Sequence, residues 1–193
     1  MSKTNKTYVI AFLVGVLVVM SIAYAAFSTA LSISSSASIS TSWDVHYNRT
    51  ATTGSGTAGI SGGTTPTGTI TYSPSSGAAT SATLSSNLYQ PGDTVVFTLT
   101  VENGGSLKAA LSAPSITGQT GCTVSGSTCT STSGNIKFTV GSFSRNTLDA
   151  STGTNKTATI TVTAEFVSRS VPSVTSGESA SITVSFTATQ STT

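Results

Sequence analysis

From Phe27 to Tyr47 the large apolar side chains all stand at odd positions, Phe27, Leu31, Ile33, Ile39, Trp43, Val45 and Tyr47, with Ala37 in the same parity. The even positions read Ser28, Ala30, Ser32, Ser34, Ser36, Ser38, Ser40, Ser42, Asp44, His46 and Asn48. A period of two gives an extended chain one face for a core and one for water. Fully extended, the run spans about 65 Å, several times a usual strand. Either it bends into two strands, or its first part projects and pairs with another molecule.

The same alternation recurs down the chain. Thr94 to Glu102 places Val95, Phe97, Leu99 and Val101 on one face. Ala158, Ile160, Val162, Ala164 and Phe166 alternate with threonine and Glu165, and Ala180, Ile182, Val184, Phe186 and Ala188 alternate with serine and threonine. Shorter strands are expected over Gly68 to Tyr72, Thr83 to Tyr89, Leu107 to Ile116 and Ile136 to Val140. Gln90-Pro91-Gly92-Asp93 reads as a turn with Asp93 as its capping residue, and Thr50 to Pro66 reads as a long Gly/Thr loop. Helical periodicity is missing after the first segment. Many short strands, each with one apolar face, predict an all-β fold, a two-sheet antiparallel β-sandwich or a barrel.

The first segment is of another kind. Lys3 and Lys6 precede an apolar run, and Ala23-Tyr24-Ala25 supplies the small-x-small pattern of a signal-peptidase site, so cleavage is expected between Ala25 and Ala26. Tyr8 to Phe27 is also long enough to span a bilayer, which leaves a retained membrane helix or a type IV pilin as competing readings. The expected organisation is a leader over 1–25, an arm over 26–42 and a sandwich domain over 43–193. With the leader removed, six basic residues face six acidic ones. A neutral, sparsely charged surface lacks the basic patch that nucleic acid requires and does little to oppose self-association.

Serine and threonine make up more than a third of the residues, and in these strand patterns threonine suits the solvent face of a sheet. Cys122 and Cys129 flank a Ser-Gly turn signal, which in an exported chain predicts a disulfide. His46 is the only histidine and the acids are scattered singly, so neither a zinc set nor a catalytic carboxylate pair is suggested. A cofactor is not expected. Asn48-Arg49-Thr50 and Asn155-Lys156-Thr157 match the glycosylation sequon, a frequent pattern in a Thr-rich chain.

Three stretches carry a family resemblance. Ala25-Ala26-Phe27-Ser28 after the leader, Leu88-Tyr89-Gln90-Pro91-Gly92-Asp93 continuing to Val101-Glu102-Asn103-Gly104-Gly105-Ser106-Leu107, and Ile182-Thr183-Val184-Ser185-Phe186-Thr187-Ala188-Thr189-Gln190 resemble TasA and camelysin, secreted biofilm-matrix proteins of Gram-positive bacteria. The resemblance implies a jelly-roll exported through a dedicated signal peptidase, touching the membrane only through its leader, and assembled into extracellular fibres. In such fibres the N-terminal strand of one subunit completes a sheet of the next. The donor residues would be Phe27, Leu31, Ile33, Ala37 and Ile39, and the partner another copy of the chain. Camelysin is named as a metalloprotease, but the chain offers no metal-ligand cluster, and that activity is not carried over. The Cys122–Cys129 pair lies outside the family pattern. The alternatives are a monomeric carbohydrate-binding or adhesive sandwich, using the Thr50 to Pro66 loop, and a secreted hydrolase.

Overall fold

The computed structural model describes residues 3–29, 41–167 and 177–191, with side chains in the first stretch described for 6–22. By their contacts the residues divide into two units, 1–40 and 41–193.

The first unit contains α1 (Lys3–Thr29). From Thr7 to Thr29 it has no charge and no proline, and nothing in Ala-Tyr-Ala-Ala breaks a helix. The extended run expected to start at Phe27 is therefore helical at its beginning in the uncleaved chain: Ala26, Phe27, Ser28 and Thr29 still belong to α1. Among the residues with described side chains, no helix is long and apolar enough to cross a membrane. The uncharged stretch itself continues past that window, to Thr29.

The second unit is all-β. Its strands are β1 (Val45–Asn48), β2 (Thr53–Thr57), β3 (Thr67–Ser73), β4 (Ser81–Leu88), β5 (Thr94–Asn103), β6 (Ala109–Leu111), β7 (Ser115–Thr120), β8 (Cys122–Ser125), β9 (Thr128–Ser131), β10 (Ile136–Val140), β11 (Thr147–Leu148), β12 (Thr157–Phe166), β13 (Glu178–Ser185) and β14 (Ala188–Gln190). The pairings of the large sheet are antiparallel and follow one path, β7-β13-β4-β3-β2-β5-β12-β10-β9-β8, with β1 also on β5. The two ends of that path, β7 and β8, are consecutive in sequence and separated only by Gly121. The sheet thus curls almost closed around one core, an all-β sandwich verging on a barrel. β6, β11 and β14 form a small separate sheet.

The corner between the two halves is made by β2, which pairs with β3 through Thr53 and Gly54 and with β5 through Ser55 to Thr57. Gly54 stands opposite Gly68, and a Cβ on either would come within 2.5 Å of Val95 Cγ1 and 2.9 Å or less of the Phe97 ring. This close approach explains why a strand sits where composition suggested only a loop: the glycines let β2 and β3 cross tightly over β5.

The period-two pattern becomes burial. Along β5 the odd residues are buried and the even ones face outward, and β12, its neighbour over nine paired positions, alternates likewise with its even residues buried. The core runs from Val45 to Phe186, with Tyr47, Phe97, Phe138 and Phe166 its largest enclosed side chains. Two sequence-derived strands are broken. Leu107 to Ile116 becomes β6 and β7, and the last strand ends at Ser185 before resuming as β14, each moving the chain between sheets.

Two buried polar residues hold the loops. Asp93, fully enclosed, accepts the backbone N–H of Gly59 (2.8 Å), Tyr89 (2.8 Å) and Gln90 (3.1 Å), the capping role expected of Pro-Gly-Asp. Asn103, equally enclosed, donates to Leu107 O (2.7 Å) and Asp149 O (2.9 Å) and accepts from Gly105 N (3.0 Å).

Candidate functional site

The arm root, residues 42–44, where the stretch read as an arm meets the domain, is tied to the segment after β5. Gly104 N donates to Asp44 O (2.8 Å), Ser106 N to Ser42 O (2.9 Å) and Ser42 N to Ser106 Oγ (2.9 Å). These bonds extend the β1–β5 pairing by one turn of the ladder towards the arm. β1 then runs along β5 with Val45 opposite Asn103 and Asn48 opposite Thr100, while Tyr47 N reaches across to Ala79 O (2.7 Å). Of the residues read as the donor strand, Phe27 lies in helical backbone, and Leu31, Ile33, Ala37 and Ile39 lie outside the described residues. Ala25 and Ala26, the expected cleavage point, are both within α1.

Trp43 departs from its parity. It was expected on the core side with Val45 and Tyr47, but it is 46% exposed while those two are buried. The regular β1 ladder starts only at Val45, so Trp43 sits just outside the last pair that would tuck it inward. With Ile60 it is one of two large exposed apolar residues among the described residues of this unit.

The polar side of β1 carries an ionic cluster. His46 Nδ1 lies 2.7 Å from Asp44 Oδ1. Asn48 Nδ2 donates to Glu102 Oε2 (2.9 Å), and Lys156 Nζ lies 3.0 Å from Glu102 Oε1. The hydrogen bond from Lys156, then that from Asn48, holds the Glu102 carboxyl below its ordinary range against the opposing effect of burial. Next to the cluster, a cavity of about 280 Å³ is lined by His46, Tyr47, Asn48, Arg49 and Gly77. The Arg49 guanidinium donates to the carbonyls of Pro74 (2.5 Å), Gly77 (2.6 Å) and Ser75, clamping the turn between β3 and β4. Sequence reasoning took Glu102 for a strand end and saw no role for Lys156 or Arg49. Only the outward parity of Glu102 hinted at it, since its partners lie 54 residues either way in sequence.

The cysteines meet as expected. Cys122 and Cys129 are bonded across the β8–β9 hairpin, whose two-residue turn is Gly126-Ser127, with Cα atoms 5.7 Å apart. The bond is consistent with an extracellular location. Among the described residues no cysteine is free, and no group of three or more His, Cys, Asp or Glu residues could hold a metal ion.

Comparison with protein-family models, with curated proteins and with solved structures finds no match to this chain.

Proposed function

We propose that this protein is a secreted structural subunit of an extracellular fibre or pilus, a TasA-like matrix or surface filament, in which the arm after Ala25 adds as a strand to the next copy. The observation that carries this reading is the contrast between the arm's sequence and the sandwich's core. Residues 27–39 alternate like a strand with one apolar face, while among the described residues the core draws nothing from before Val45. An apolar strand face that precedes the first described core residue in sequence suits β-strand addition, in which main-chain hydrogen bonds give affinity and alternate side chains give register. β7 and β8, the ends of the curled sheet, each have a single described neighbour and offer backbone edges of the right kind.

Electron microscopy of the secreted, processed protein tests this directly, with filaments expected. Leu31→Asp with Ile33→Asp places two charges where apolar contacts are needed, a penalty of several kcal/mol, and should give folded monomers. Normal filaments from that variant would make the arm an internal element and end the donor-strand reading.

A second reading is favoured by one residue. The exposed indole of Trp43 is the kind of platform a carbohydrate-binding or adhesive module uses. Under that reading the protein stays monomeric, and Trp43→Ala abolishes retention on a polysaccharide matrix without unfolding the domain.

A further inference from the structure

Folding separates the two glycosylation sequons. Asn48-Arg49-Thr50 begins at the last residue of β1, where Asn48 is paired opposite Thr100 and its carboxamide is engaged at both ends, Nδ2 donating to Glu102 Oε2 at 2.9 Å and Oδ1 accepting from Thr50 N at 3.1 Å. Asn155-Lys156-Thr157 begins instead in the turn that leads from β11 into β12, and there Asn155 is exposed. Its backbone is pinned and its side-chain nitrogen is free. Asp149 N donates to Asn155 O at 3.1 Å and Asn155 N to Asp149 Oδ2 at 3.2 Å, which closes the turn. Arg145 Nη1 donates to Asn155 Oδ1, which leaves Nδ2 as the end of the carboxamide without a hydrogen-bond partner among the described residues.

We propose that Asn155 carries an N-linked glycan and that Asn48 does not, the sugar coming from a lipid-linked phosphate donor met at the membrane during export. In the transfer Asn155 Nδ2 bonds to the anomeric carbon of the sugar, the bond from that carbon to the donor's phosphate oxygen breaks, and the lipid phosphate leaves with the electron pair. One Nδ2 proton passes to a base of the membrane-bound transferase. Nothing is oxidised or reduced. The third residue of the motif supplies the hydroxyl by which a transferase reads it, and Thr157, at the start of β12, is half-buried and commits that hydroxyl to no hydrogen bond among the described residues.

The folded chain accommodates a sugar at one site and resists it at the other. Asn155 Oδ1 keeps Arg145 after the reaction, because the sugar replaces a hydrogen on the other atom of the carboxamide. Asn48 has no such freedom: its Nδ2 would keep a single hydrogen, and the sugar would stand against Glu102, which also holds Lys156 at 3.0 Å. This selects Asn155 whether the sugar arrives before folding or after it. The turn packs beside the arm root, with Ser151 N on Gly105 O (2.8 Å) and Asn103 N on Lys156 O (2.9 Å), so the glycan stands at that end of the domain. The inference rests on the secreted part of the proposed function and not on fibre formation.

The test is peptide mass spectrometry on the protein recovered from outside the cells that naturally make it. The proposal expects sugar-bearing peptides that contain Asn155, and peptides containing Asn48 at their unmodified mass. Asn155→Gln and Thr157→Val should each fold, by circular dichroism, and lose the glycan completely, whereas Thr157→Ser keeps the hydroxyl and should retain it. Extracellular protein whose Asn155 peptides are all bare overturns the proposal, as does a glycan on Asn48 or one that survives Thr157→Val. Protein found only inside the cell with its leader intact defeats export and the proposal with it, a result distinct from a bare Asn155 outside.

Discussion

At the scale of single residues, the unusual group is Tyr47. Its ring is fully enclosed, edge-on to Phe186 at 5.0 Å and tilted against Tyr72 at 6.1 Å, yet among the described residues its hydroxyl has no hydrogen-bond partner. Burial first, and Tyr72 second, push the phenol well above its ordinary value near 10. Because folding raises this pKa, the native state is undiminished below about pH 10 and loses stability as pH rises beyond it. Tyr47→Phe removes both the orphaned hydroxyl and the ionisation. It should raise stability by about 1–2 kcal/mol and flatten the alkaline limb of a melting-temperature profile; a loss of stability instead would reveal a partner for the hydroxyl. Asp93 is the opposite case, a buried carboxylate serving three backbone donors. Asp93→Ala leaves those donors unpaired and should cost about 2–4 kcal/mol in chemical denaturation, whereas a change within about 0.5 kcal/mol would mean that the loop finds other acceptors.

At the scale of elements, local pattern was legible and crossing geometry was not. β5, β10 and β12 follow from alternation alone because each is flanked by deep neighbours on both sides, and burial enforces parity. β2 was not legible, since Thr53 to Thr57 has no apolar residue, and its reason for being a strand is the Gly54–Gly68 crossing over Phe97. The same holds for the candidate site: the cysteines are neighbours in one hairpin and could be paired from spacing, while Asn48, Glu102 and Lys156 meet only through the order β1-β5-β12. Gly68→Ala should therefore destabilise by about 1–3 kcal/mol through overpacking, although alanine has the better strand propensity on an open surface. A neutral result in thermal melts would remove the crossing as the reason for glycine there. Replacing both cysteines with serine opens a loop of sequence separation 7 and should cost about 2.5 kcal/mol in the chain-entropy model. The hairpin is local, so filaments, if the fibre reading holds, should still form.

At the scale of the whole molecule, the contacts within the second unit set what its folding requires. The core of the second unit extends from Val45 to Phe186, and its first anchors, Val45 and Tyr47, are placed by the β1–β5 ladder and by the bonds of Ser42 and Asp44 to the segment after Asn103. All of these contacts lie at or beyond residue 42. A chain starting at Thr41 keeps them, so it should fold as one cooperative domain with an unchanged denaturation midpoint. Starting at Val45 instead removes the three backbone contacts of the arm root, the two onto Ser42 O and Asp44 O and the one from Ser42 N. At about 0.5–1.5 kcal/mol each, their loss should lower the midpoint measurably while the far-UV spectrum stays that of a β protein. The pair of truncations separates folding from assembly: under the fibre reading the Thr41 chain is as stable as the full domain yet makes no filaments. If it melts early or populates an expanded state, residues before Thr41 belong to the domain's own fold, and the arm cannot be free to serve a neighbour.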